Sequence, residues 1–162
     1  MKESAAASTA ERRIAAITRD ATAGVYDAYR KEVGSMIVRS LDEVTGTERD
    51  VQGEGWRSQR LLLRRDGLGF SLHNTTVAAG AEMELEYRNH FEACYVMAGE
   101  AELTDLASGK RHALAPGMVY ALDQHDRHQL RVITEMQLVC VFNPALTGAE
   151  THDDTGSFPA SD

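Results

Sequence analysis

Two cysteines in 162 residues, Cys94 and Cys140, are too few for a disulfide framework. They also fall short of a zinc finger, which needs more ligands at closer spacing. Any metal is therefore expected on oxygen and nitrogen donors, and six histidines are the first to consider. Long apolar runs are missing too. None approaches the ~18 residues of a transmembrane helix, so no membrane partner is expected. An excess of basic charge is also absent: 25 acidic against 17 basic side chains give a formal charge of −8. An even acidic coat repels phosphate backbones and speaks against nucleic acid as a partner. With 43% hydrophobic and 26% charged residues, the chain reads as one small soluble globular domain.

Residues 1–35 differ in texture from the rest. They hold nine alanines and no His, Pro or Trp, and their six basic and five acidic groups nearly cancel. The other 127 residues (162 minus 35) therefore carry −9. Ser8 and Glu11 have capping-box spacing, and Ile14, Ile17, Ala21, Val25 and Ala28 recur at helical spacing, so a helix is expected over 9–33. No continuous apolar stretch marks a secretory signal, and five acids argue against a mitochondrial presequence. Gly34-Ser35 precedes Met36-Ile37-Val38-Arg39, which reads like a natural start after a junction. Residues 1–35 are thus expected to be an appended helical segment, a fusion or tag dispensable for the chemistry. A native docking helix is the alternative.

From Met36 onward the dominant period is two. Leu68, Phe70 and Leu72 alternate with smaller or polar residues, as do Met83, Leu85 and Tyr87, Val119 and Ala121, and Leu138, Cys140 and Phe142. Turn signals punctuate them at Asp66-Gly67, Ala79-Gly80, Ala98-Gly99, Ser108-Gly109 and Pro116-Gly117. Roughly nine short strands with almost no helix predict an all-β domain, and a jelly-roll barrel fits better than an immunoglobulin sandwich. Trp56, Ser58 and Arg60 share one face of a strand, as do His73 and Thr75, and Cys140 and Phe142.

Gly80, Glu92 and Gly99, and then Gly117 with Tyr120, stand at the spacings of the two cupin motifs. The two histidine slots of the first motif hold Glu86 and Arg88 instead, which argues against a dioxygenase-type metal site. The stretches Asn89-His90-Phe91-Glu92-Ala93, Asp123-Gln124-His125-Asp126-Arg127-His128 and Leu146-Thr147-Gly148-Ala149-Glu150 resemble the ectoine synthase family of cupins, from Met36 to the end. That resemblance implies a cupin jelly-roll barrel and an Fe(2+) cofactor on Glu92, Tyr120 and His128. Two oxygen donors and an imidazole suit a ferrous ion and leave positions open, in a site free of thiols. His125, in the same loop as His128, is read as solvated.

By the same resemblance Trp56, Ser58, Thr75, Cys140 and Phe142 form a substrate wall. Arg60 would hold a substrate carboxylate through its bidentate fork. Tyr87, His90, Glu150 and His152 match positions tied to catalysis. Glu150 or His90 are the proton-transfer candidates, and Tyr87 is a positioning group. Glu150 and His152 lie in a tail able to close over the barrel mouth. The implied reaction is ring closure of N-gamma-acetyl-L-2,4-diaminobutyrate with loss of water, in osmoprotectant synthesis by a cytoplasmic homodimer acting on a small molecule. The alternative class is a non-catalytic cupin that binds a metabolite as a sensor or effector domain.

Overall fold

The computed structural model describes residues 36–153 and 156–160, and the helix expected over 9–33 lies outside them. The described residues hold eight strands. They are β1 (Asp50–Gly53), β2 (Trp56–Leu62), β3 (Ser71–Val77), β4 (Glu82–Leu85), β5 (Phe91–Asp105), β6 (Arg111–Leu114), β7 (Val119–Leu122) and β8 (His128–Asn143). All pair antiparallel in the order β1-β2-β3-β8-β5-β6, with β4 on β8 and β7 on β5.

Two strands far longer than the others make the barrel. β5 has 15 residues and β8 has 16, and they pair along almost their whole length. The first half of β5 and the second half of β8 join β7 and β3, while their other halves join β6 and β4. One hairpin-like spine thus serves two layers, and it bends where its register shifts between Val96 and Ala101. Gly99 sits in that bend at φ +87°, and a Cβ there would lie 2.7 Å from the Met136 Cα and against the Glu135 carbonyl. Only glycine fits both the conformation and the space.

The two layers close on Val96, Ala101, Leu103, Leu114, Leu122, Leu130, Val132, Met136 and Leu138. Val96 and Met136 are 0% exposed, and each such side chain stabilises the fold by ~1.5–3 kcal/mol through apolar burial. The inward set Leu138, Cys140 and Phe142 is the one that alternation predicts. Two other segments are turned the opposite way. Leu68 is 48% exposed and lies before β3, whose buried face carries Ser71, His73 and Val77. Val119 is 65% exposed, and β7 turns Tyr120 and Leu122 inward instead. On β3 the inner face carries the polar His73 and Thr75, because that face borders a cavity.

Candidate active site

Register alone lines up the chemistry. Across β2, β3, β8, β5 and β7 the directly paired residues are Arg60, His73, Cys140, Cys94 and Tyr120, one from each strand. The adjacent row brings Ser71, Phe142, Glu92 and Leu122 together. Paired residues of neighbouring strands point to the same side of the sheet, so both rows face the barrel interior.

Of these, His73, Cys140, Cys94, Tyr120, Phe142 and Glu92 line a cavity of about 50 Å³. Of the residues singled out from sequence, Trp56, Ser58, Thr75, Tyr87, Glu92, Tyr120, Cys140, Phe142 and His152 line it. His73, Cys94 and Phe158 line it as well, without having been given a role. His128 borders a second cavity of about 310 Å³, which meets the first at Tyr120. Of the two rows, only Tyr120 and Leu122 border the larger space.

The aromatic side of the smaller cavity is built around Tyr87. Its hydroxyl is 2.9 Å from His152 Nε2, and its ring meets Phe142 edge-on at 5.3 Å. His152 stacks on Phe158 at 4.5 Å and meets Trp56 edge-on at 5.2 Å. Burial pushes the Tyr87 phenol well above its usual range. Burial, then the charge of Arg60, brings His152 down to about 4. Both are neutral near pH 7, so the contact is a phenol–imidazole hydrogen bond.

At the other side stand two acids that, among the described residues, no cationic side chain compensates. Burial raises Glu92 to about 7, opposed only by hydrogen bonds from the Cys94 and Cys140 thiols. Burial, then Cys94 and Glu92, raises the Tyr120 phenol well above its ordinary value. Beside Tyr120, at 6.5 Å between ring centres, lies His128. Its Nδ1 is 2.9 Å from the Asp126 carbonyl, which accepts from it, and burial lowers its pKa. The neutral ring therefore keeps its lone pair on Nε2, the arrangement of a metal-binding imidazole. Uncompensated acids beside a pre-oriented imidazole fit a divalent cation.

The site is not free of thiols. Cys94 Sγ lies 3.2 Å from Glu92 Oε1 and 3.2 Å from Cys140 Sγ, both cysteines being free and buried. The expectation followed from the number of cysteines, whereas their cross-strand register decides where they meet.

Three residues read as substrate or proton-transfer groups stand behind the cavity wall. Arg60 is 0% exposed, and its Nη2 donates to the Glu150 carbonyl at 2.6 Å. The Glu150 carboxylate accepts from Thr147 N at 2.6 Å, Thr147 Oγ1 at 2.7 Å and Gly148 N at 2.8 Å. Burial would raise this carboxyl, but those hydrogen bonds outweigh it and hold it at about 2. His90 faces the Pro144 carbonyl from Nδ1 at 2.9 Å and the Pro159 carbonyl from Nε2 at 3.2 Å. These side chains fasten the tail that delivers His152 and Phe158. His125 does not stand free in solvent. It stacks on Phe91 at 5.0 Å, and its Nδ1 contacts the Tyr87 carbonyl at 2.7 Å.

Among the described residues, the buried side-chain atoms without a hydrogen-bond partner are Arg60 Nε, Arg60 Nη1 and His73 Nε2. They sit on directly paired residues of β2 and β3. Burial, then Arg60, lowers His73 to about 3, and its Nδ1 is 3.2 Å from Ser58 Oγ. A neutral imidazole whose Nδ1 accepts from Ser58 presents an Nε2–H. Of the unpartnered atoms only His73 Nε2 belongs to a residue that lines the cavity, so it stands at one end and Glu92 and Tyr120 at the other.

A bent antiparallel barrel with such a site is a cupin. An RmlC-like cupin from Shewanella frigidimarina shares the fold, with a TM-score of 0.56 over 68% of this chain and 93% of that one at 21% identity. The ectoine synthase family model matches residues 36–162, and the chain belongs to that family. It is 56% identical over 124 residues to the L-ectoine synthase of Desulfosudis oleivorans, covering 76% of this chain and 96% of that protein. The crystal structure of ectoine synthase from P. lautus matches with a TM-score of 0.70 and 47% identity, over 78% of this chain and 94% of that one.

Proposed function

We propose that the protein is an ectoine synthase, a hydro-lyase that closes N-gamma-acetyl-L-2,4-diaminobutyrate into ectoine with loss of water. Beyond family membership, the polarity of the inward row from Arg60 and His73 to Cys94 and Tyr120 carries the reading. A substrate carboxylate accepts from the unpartnered His73 Nε2–H. The acetamide then lies toward Glu92 and Tyr120, between walls formed by Trp56, Phe142 and Thr75.

In this reaction the α-amine attacks the acetamide carbonyl carbon. A C–N bond forms, the nitrogen gives up two protons, and the carbonyl oxygen accepts them and departs as water. Folding the substrate within the cavity supplies the proximity on which intramolecular attack depends. The Tyr87–His152 pair lines the cavity and exchanges protons with it, His152 taking one and the phenol delivering one. Glu150, His90 and Arg60 act from behind as positioning residues by fixing the tail. Glu92, Tyr120 and His128 would hold Fe(2+). When bound, that ion supplies Lewis acidity toward the acetamide.

We place the reaction in the cytoplasm, where a thiol pair as close as Cys94 and Cys140 stays reduced. We also take the working form to be a homodimer and the product an osmoprotectant. The exposed outer side of β5 and β7 supports pairing, since Tyr95 and Val119 are cross-strand neighbours at 48% and 65% exposure. The acidic chain is given no role with nucleic acid. Among the described residues, no helix is long and apolar enough to cross a membrane.

The test is anaerobic incubation with ferrous iron and the acetylated diamine, followed by chromatography. Ectoine accumulating over many turnovers is the expected result. Saturable binding of the diamine with no product would overturn the reading in favour of a metabolite-sensing cupin.

A further inference from the structure

The family reading uses Glu92 with an oxygen and a nitrogen donor, yet a different set converges on the same carboxylate. Cys94 and Cys140 are direct cross-strand partners, with their sulfurs 3.2 Å apart. Glu92 Oε1 is 3.2 Å from Cys94 Sγ, and ligand atoms of all three residues lie within 4.8 Å of one another. Tyr120 pairs directly with Cys94 across β5 and β7, and its phenol reaches that thiol. All four residues line the cavity, so whatever enters it meets the sulfurs.

Two sulfurs and one carboxylate oxygen, with a phenol alongside, form a soft donor set. Thiolates favour zinc and its heavier congeners, whereas carboxylate, phenol and imidazole suit ferrous iron. We propose that Glu92, Cys94 and Cys140 form a second cation-binding set, selective for a thiophilic divalent ion of the Zn²⁺ or Cd²⁺ class. Both sets need Glu92, so only one can be filled at a time. A thiophilic ion is then a competitive poison of the activating metal. Binding replaces two S–H bonds by two metal–sulfur bonds and releases two protons, with no change of oxidation state. The binding step stands on geometry alone; the competition rests on the proposed placement of iron on Glu92.

The experiment is a cadmium titration of the reduced, metal-free full chain under argon, read by the ultraviolet thiolate-to-cadmium charge-transfer band. One equivalent should saturate the band in the wild type. Cys94→Ser and Cys140→Ser should each remove it while circular dichroism confirms the fold, and His128→Ala should retain it. Ferrous iron at about ten times its own dissociation constant should weaken apparent cadmium affinity about tenfold. No band in the folded wild type, or a band lost on His128→Ala but kept in both serine variants, would overturn the proposal. Cadmium bound through both thiols but indifferent to iron supports the soft set and overturns the placement of iron on Glu92 instead.

Discussion

Glu150→Gln separates a residue that fixes the tail from one that moves a proton. Its carboxyl is held at about 2 against an ordinary value of 4.5, with burial opposing and the Thr147 and Gly148 hydrogen bonds prevailing. Linkage converts that difference into ~3 kcal/mol of folding stability at neutral pH, an upper figure because a glutamine still accepts one hydrogen bond. The same change takes the counter-charge from Arg60, whose Nη1 lies 3.6 Å from Glu150 Oε2 and whose side chain is fully buried. We expect the variant to melt about 10 °C lower, at roughly 4 °C per kcal/mol for a domain of this size. The folded pKa is depressed, so the contribution is complete above about pH 5 and is lost as pH falls through 4.5 towards 2. Thermal melts of both proteins from pH 7 to pH 2.5 should therefore converge at the acid end. A variant that melts within about 2 °C of wild type at pH 7 yet loses ~100-fold in turnover would refute the strut and restore Glu150 as a proton-transfer group.

Other substitutions report on the rest of the site. Tyr87→Phe deletes the 2.9 Å bond to His152 while keeping the ring stacks, so kcat should fall ~10²-fold or more with melting shifted by only a few degrees. His128→Ala should lower ferrous affinity ~10–100-fold in a metal-binding titration, whereas His125→Ala should leave that affinity within a few-fold and destabilise its loop. Because burial holds Glu92 at about 7 and a cation binds its ionised form, ferrous affinity should rise with pH from 6 to 8, and a flat profile would count against Glu92 as ligand. Gly99→Ala should cost ~2 kcal/mol or more in urea unfolding, since its Cβ would meet the Met136 backbone.

The strands were legible because a half-buried sheet imposes period two, and that period put Trp56, Ser58 and Arg60 on one face correctly. It misdirected at Leu68, which lies before β3, and at Val119, whose strand turns Tyr120 inward to the cavity and leaves Val119 outside. Arg60 shows a second limit: alternation turned it inward, but its partner lies 90 residues away in a tail without periodicity. The roles of Glu150 and His90 were hidden for that same reason, as was the place of Phe158 on the wall. Cys94 could have been found. It stands two residues after Glu92 on the same strand and so shares its face. Its pairing with Cys140 depends on the β5–β8 register, which the chain's local pattern does not state.

Oxygen bookkeeping tests ring closure most directly. The ferrous-loaded protein would be given N-gamma-acetyl-L-2,4-diaminobutyrate carrying ¹⁸O in its acetamide, and the products followed by mass spectrometry. Ring closure as described places all of the label in released water and none in ectoine or acetate. Labelled acetate appearing with free diaminobutyrate would show hydrolysis in its place and contradict the cyclisation.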